Sequence, residues 1–173
     1  EESVLIMPPV YYPFFNSIEE TRRQLVECPL LKEDEHYKMD IELFENNILT
    51  ENVKVFILCS PHNPVGRVWT KKELQAVLDI CKKYGVYVIA DEIHQDIIMS
   101  GYEKVTAATC GNYDEYLITL TSASKSFNIA GFQCAYAIIP NDKMREDYDQ
   151  LAKKLHFTEG NSFSYIATQA VYE

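Results

Sequence analysis

Apolar residues in this chain gather into short runs of strand length, separated by stretches whose apolar positions recur at helical spacing. The first run, Val4–Met7, is stopped by Pro8 and Pro9, which cannot extend a hydrogen-bonded ladder. Asn16 or Ser17 can cap a helix predicted to run to about Val26, with Glu19 and Glu20 in the turn where the helix dipole favours carboxylates. Leu30 and Leu31 mark a short strand, and Asp40 caps a brief helix carrying Ile41, Leu43 and Phe44.

The pattern sharpens from there. Val55–Leu58 has the β-branched and aromatic content of a buried strand. Thr70 and Glu73 form a capping box, and Leu74, Val77, Leu78 and Cys81 follow on one helical face, with Gly85 as the stop. Val86–Ala90 is the next strand, which makes a βαβ unit and therefore a parallel pair. Tyr116–Leu120 and Cys134–Ile139 are further strands, and Asn141 caps a helix with Met144, Tyr148, Leu151 and Leu155 on one face. The expected fold is α/β, a three-layer αβα arrangement around a mainly parallel sheet.

Composition narrows the function. A chain of 173 residues suits one domain with a sizeable core. The formal net charge of −10 argues against a nucleic-acid partner, which calls for a basic face. No basic segment precedes an apolar one at the start, and the apolar runs fall far short of the roughly 20 residues of a membrane helix, so neither a secretory signal nor a membrane span is expected. Cys28, Cys59, Cys81, Cys110 and Cys134 are scattered, and His36, His62 and His156 make no ligand pattern, so no metal is assigned. Free thiols in this number fit a reducing cytoplasm. Both ends look cut from a longer protein, and the whole chain reads as one domain or most of one.

Three strand ends deliver polar groups. The run into Cys59 is followed by Ser60-Pro61-His62-Asn63-Pro64, that into Ala90 by Asp91-Glu92-Ile93-His94, and that into Leu120 by Thr121-Ser122-Ala123-Ser124-Lys125. In an open parallel sheet such ends are where ligands bind. Each residue has a plain reading: Asp91 as a cap or partner of a structural arginine, Asn63 as a turn residue, His94 as a packed or surface histidine, Ser122 and Ser124 as helix caps. Tyr11 is one of 12 tyrosines. Together, an amine, a carboxylate and an amide at neighbouring ends read as a pyridoxal phosphate site, with Lys125 condensing with the aldehyde and Asp91 pairing with the ring nitrogen.

Cys59 to Thr70 (CSPHNPVGRVWT), Asp91 to His94, and Ser122 to Gly131 (SASKSFNIAG) resemble, in order and spacing, the fold-type I aminotransferase superfamily. More narrowly they are similar to its cystathionine β-lyase and cysteine-sulfur lyase branch. The resemblance implies that residues 1–173 are the greater part of the cofactor-binding large domain, without an N-terminal segment and a C-terminal small domain. It implies pyridoxal 5′-phosphate as cofactor, Lys125 as its covalent anchor and catalytic base, and Asp91 at the pyridine nitrogen. Asn63 is then placed at the phenolic oxygen, Tyr11 on the ring face, and Ser122 and Ser124 at the phosphate. His94 stands where many aminotransferases of the superfamily carry tyrosine and the lyase branch commonly has histidine, which favours the lyase. Gln133 stands where many superfamily members have a phosphate-binding arginine, which the lyase branch often lacks too, and Arg22, Arg23, Arg67 and Arg145 do not match the substrate-carboxylate arginine.

The expected activity is β-elimination from a small sulfur-bearing amino acid, giving thiol, pyruvate and ammonia. A class I/II aminotransferase is the alternative, and a non-catalytic regulatory relic a third reading. The resemblance further implies a homodimer for the full-length protein, and for the isolated piece poor solubility, weak cofactor affinity and little turnover.

Overall fold

The computed structural model describes residues 2–157 and 160–173. In chain order it runs β1 (Ser3–Ile6), α1 (Pro13–Glu20), β2 (Gln24–Glu27), a hairpin of β3 (Leu31–Glu33) and β4 (His36–Lys38), then α2 (Ile41–Thr50). There follow β5 (Val53–Cys59), α3 (Lys71–Tyr84), β6 (Tyr87–Asp91), β7 (Leu117–Thr121), β8 (Tyr136–Ile138), α4 (Asp142–Lys154) and α5 (Ser162–Tyr172). Six strands make one sheet in the order β2-β1-β5-β6-β7-β8, parallel except for β8, which runs antiparallel to β7 at one edge. The expected α/β class with a mainly parallel sheet is what the chain adopts.

Side-chain alternation divides the sheet between two cores. Leu5, Phe56, Leu58, Val88, Ala90 and Leu117 face α2 and α3, meeting Phe44, Ile48, Leu74, Val77, Leu78 and Cys81 in the larger cluster. Val4, Ile6 and Cys59 face the other way and meet Ile18, Phe14 and Phe15 of α1. Helices therefore cover both faces, as a parallel sheet requires. The best-formed helix is α3: Thr70 accepts from the Glu73 amide while the Glu73 carboxylate accepts from the Thr70 amide, and Gly85 closes the other end at φ 67°.

Two expectations needed correction. The helix predicted from Asn16 to about Val26 starts earlier, with Pro13 in its first turn, and ends at Glu20. Arg22 turns the backbone to φ 56°, and Gln24–Glu27 leaves as a strand parallel to β1. Ladder hydrogen bonds beside a buried strand thus override helical spacing there. The apolar face of α4 is also less buried than its periodicity suggested, since Tyr148 and Leu151 are 49% and 56% exposed and Ala152 is the helix's buried residue.

The larger core makes a direct prediction. Phe56 is wholly buried, edge-on to Phe44 with ring centroids 4.9 Å apart. Phe56→Ala should cost about 3–5 kcal/mol of stability, read as a lower urea midpoint. A loss under roughly 1 kcal/mol would show that β5 is not clamped between α2 and the sheet as described.

Candidate active site

Register and alternation decide which polar groups meet. Cys59 pairs with Asp91, and Asp91 with Leu120, at the carboxyl ends of β5, β6 and β7. Asp91 shares the face of Ile89, whereas Val88, Ala90 and Glu92 point into the larger core. Two adjacent acids thereby take opposite directions. One enters a cleft and the other enters the protein.

Asp91 lines a small cavity of about 80 Å³ together with Tyr11, Asn63, His94 and Lys125. Tyr11 arrives from the segment after β1, Asn63 from the turn after β5, His94 from the loop after β6, and Lys125 from the turn after β7. These are five of the seven residues singled out from sequence. Cys59 and Ile93 complete the wall. Asn63 and His94 also border a larger recess of about 440 Å³, whose other walls include Pro61, Pro64, Val68, Ile97, Met99 and Tyr102.

Burial raises the Asp91 carboxyl above its ordinary pKa, against the pull of the Ile93 amide, which donates to Oδ1 at 3.1 Å, and of the charges on His94 and Lys125. Burial likewise lowers the imidazole of His94, partly offset by Asp91. The Cys59 thiol is pushed up to about 12 by burial, so it is a neutral wall rather than a nucleophile. The set offers an amine able to condense with an aldehyde, an acid able to meet a basic ring nitrogen, an amide donor and an aromatic face. Its chemistry fits a pyridine carbaldehyde.

The two serines are placed differently. Ser122 is buried, and its hydroxyl donates to Cys134 O at 2.5 Å while accepting from the Ser124 amide at 3.0 Å. A hydroxyl has one proton, so in this arrangement Ser122 has none left for an anion. Neither Ser122 nor Ser124 is among the residues lining the cavity. Gln133 sits near them in sequence with φ 51°, ending a short 3-10 turn.

Sequence reading passed over three residues. Cys59 could have been found by counting alternation from Phe56 and Leu58. His62 is 1% exposed, with Nε2 3.0 Å from Pro9 O, and its imidazole is pushed down to about 4 by burial. Glu92 is also 1% exposed; Oε1 accepts the Ala107 amide at 2.7 Å, and Oε2 has no hydrogen-bond partner among the described residues. No metal-binding cluster of three acidic, histidine or cysteine side chains occurs among the described residues, and none of their helices is long and apolar enough to cross a membrane.

Comparison with known proteins shows the family. The family model "Aminotransferase class I and II" matches residues 1–172. Cystathionine beta-lyase PatB of Bacillus subtilis is 34% identical over 172 residues, 99% of this chain and 44% of the relative. The structure of a PLP-bound putative aminotransferase from Clostridium difficile 630 superposes with a TM-score of 0.95 at 41% identity, covering 99% of this chain and 44% of that one. The PLP-bound C-S lyase from Staphylococcus hominis gives 0.92 at 37%, over 99% and 43%. The chain thus spans under half the length of the relatives it matches.

Glu92 supplies a pH test. Burial raises its carboxyl to about 7, against the Ala107 amide and the charge of Lys104, and with Asp91 adding to the rise. The native state then holds this proton more tightly than the unfolded chain does. Stability should fall as pH climbs from about 4 to about 7, with the full cost present above that window. Glu92→Gln removes the buried charge, so the variant should gain on the wild type by on the order of 2 kcal/mol between pH 5 and pH 8. Denaturant titrations at the two pH values check this, and a difference independent of pH would show that Glu92 does not titrate in that range.

Proposed function

Because the chain belongs to the aminotransferase class I and II family, we propose that it is the cofactor-binding large domain of a pyridoxal-phosphate-dependent carbon–sulfur lyase. The observation that carries the reading is the convergence of Lys125, Asp91, Asn63, His94 and Tyr11 on one cavity at the carboxyl ends of adjacent parallel strands. The similarity to a cystathionine β-lyase and a C-S lyase supports elimination. The substrate is a small amino acid with sulfur on its β-carbon, and the products are a thiol, pyruvate and ammonia.

When bound, pyridoxal phosphate supplies an aldehyde for a primary amine and a ring that accepts the charge left on the substrate α-carbon. Lys125 is the residue that would anchor the cofactor through that aldehyde and yield it to the substrate amine. The freed ε-amine then takes the α-proton and hands a proton to the departing sulfur, so one group serves as base and acid in turn. Asp91, carboxylate toward the cavity, would hold a proton on the ring nitrogen, a pairing that would offset the desolvation raising its own pKa. Asn63 would donate its amide to the phenolic oxygen, with His94 beside it, and Tyr11 would cover the ring. Ser124 serves the phosphate, and Ser122 joins it only if its hydroxyl turns away from Cys134 O.

Transamination is the second reading, favoured by the description of the family itself. In that reading Lys125 would not pass the proton to a leaving sulfur. A homodimer in a reducing cytoplasm completes the proposal. Exposed apolar side chains on α5, with Phe163 71% and Ile166 67% exposed, and free cysteines throughout fit it.

The full-length protein should release pyruvate from cystathionine with no keto acid present. Pyruvate that appears only on adding a keto acid would replace the lyase by the aminotransferase. Asp91→Asn should still bind the cofactor, but with turnover lower by several powers of ten, each about 1.4 kcal/mol of lost transition-state stabilisation. Near-normal turnover in that variant would reduce Asp91 to a structural acid.

A further inference from the structure

We infer that His62 is a positioning residue: its imidazole fixes the Tyr11 segment against the Asn63 turn and so sets the separation of two walls of the cavity. The inference rests on the proposed cofactor reading only for its effect on cofactor affinity.

The segment between β1 and Tyr11 is hard to hold. Pro8 and Pro9 lack amide protons, so only their carbonyls can be fixed by hydrogen bonds. The Leu30 amide donates to Pro8 O at 2.7 Å, which ties the segment toward the β2 side. Pro9 O faces the β5 side, and there its partner is His62 Nε2 at 3.0 Å, across 53 residues of sequence. The paired register of β1 and β5 reaches Leu5 and Phe56 and goes no further. This bond is therefore a polar tie between the two chains beyond the end of their ladder, two residues before Tyr11 and one before Asn63.

The imidazole is itself braced. A carbonyl only accepts, so the proton must be on Nε2, which leaves Nδ1 the unprotonated nitrogen, without a partner among the described residues. The ring meets Trp69 edge-on, centroids 5.4 Å apart, and Trp69 Nε1 donates to Cys59 O at 3.0 Å. His62 N donates to Arg67 O and Gly66 N to His62 O, both at 2.8 Å, closing the turn that carries Asn63. The Arg67 guanidinium lies 4.7 Å from the Trp69 ring centroid and pairs with Glu73 at 2.5 Å, anchoring the turn to the start of α3. Burial keeps His62 neutral at physiological pH against the pull of the Pro9, Met7 and Cys59 carbonyls, with a smaller push from Arg67, so the tie does not titrate there.

The test compares two substitutions in the full-length protein. His62→Phe keeps the ring and its Trp69 contact but removes the donor; His62→Gln restores a donor near the same place. In cofactor-free protein, exchange of the Phe14 and Phe15 amides, which donate to Tyr11 O and Tyr12 O, should speed at least tenfold in His62→Phe and stay within about threefold of wild type in His62→Gln. The dissociation constant for pyridoxal phosphate should follow the same order, rising about tenfold in the Phe variant. Unchanged exchange at Phe14 and Phe15 in His62→Phe overturns the inference. So does acceleration spread over β5 and β6 as well, which would mean general destabilisation. A wild type that binds no pyridoxal phosphate sinks the proposed function, while the exchange comparison still decides the role of His62. Should His62→Phe fail to fold, His62→Asn, whose amide stops short of Pro9, replaces it in the same comparison.

Discussion

The parity of a parallel strand is the constraint on which the site depends. β6 is paired on both sides, with Cys59 opposite Asp91 and Asp91 opposite Leu120, so its register cannot slip by one residue without breaking two ladders. A slip would also turn Val88 and Ala90 out of the core they share with α3. The apolar residues of β6 thus aim its last acid into the cleft, and core packing and site geometry are a single fact. The same parity sends Glu92 inward, where its carboxylate meets the Ala107 amide and anchors the chain that returns from the loop after His94.

Much of this was legible because it depends on short-range rules. Thr70, Glu73 and Gly85 announce α3 by local hydrogen bonding alone, and the motif spacing around Asn63, Asp91 and Lys125 follows from the turns after three adjacent parallel strands. The misreadings were those that long-range pairing decides. Gln24–Glu27 has helix-compatible residues, yet the exposed flank of β1 recruits it as a strand. His62 gave no signal because it makes no ligand pattern with the other histidines. Its partner is 53 residues away. The commitment of Ser122 to Cys134 O was equally hidden, since it depends on β8 folding back antiparallel beside β7.

The electrostatics are local in the same sense. A net charge of −10 would repel an anionic ligand at long range, but over distances beyond a Debye length of about 8 Å that repulsion is largely screened. What acts in the cleft is the short-range set: a carboxyl raised by burial, an imidazole lowered by it, and an exposed lysine at the rim. Asp91 without a cation in contact is destabilised as a charge. A bound cationic ring nitrogen relieves that cost and gains from the same low dielectric.

The two ends of the proposed cofactor are consequently held by unequal means. At the ring end, four different segments bring side chains to one cavity, and the sheet fixes three of them. At the phosphate end, Ser122 is occupied with backbone partners and Gln133 brings no charge. Hydrogen bonds to a solvated anion are individually modest, because water competes for the same oxygens. A covalent tether at Lys125 does not share that weakness, and it needs no strong anion site to keep the ring in place. With the amine as the anchor, Tyr11 and Asn63 are left to set orientation, which makes the spacing between their two segments, and hence the His62–Pro9 bond, matter more than the number of phosphate donors.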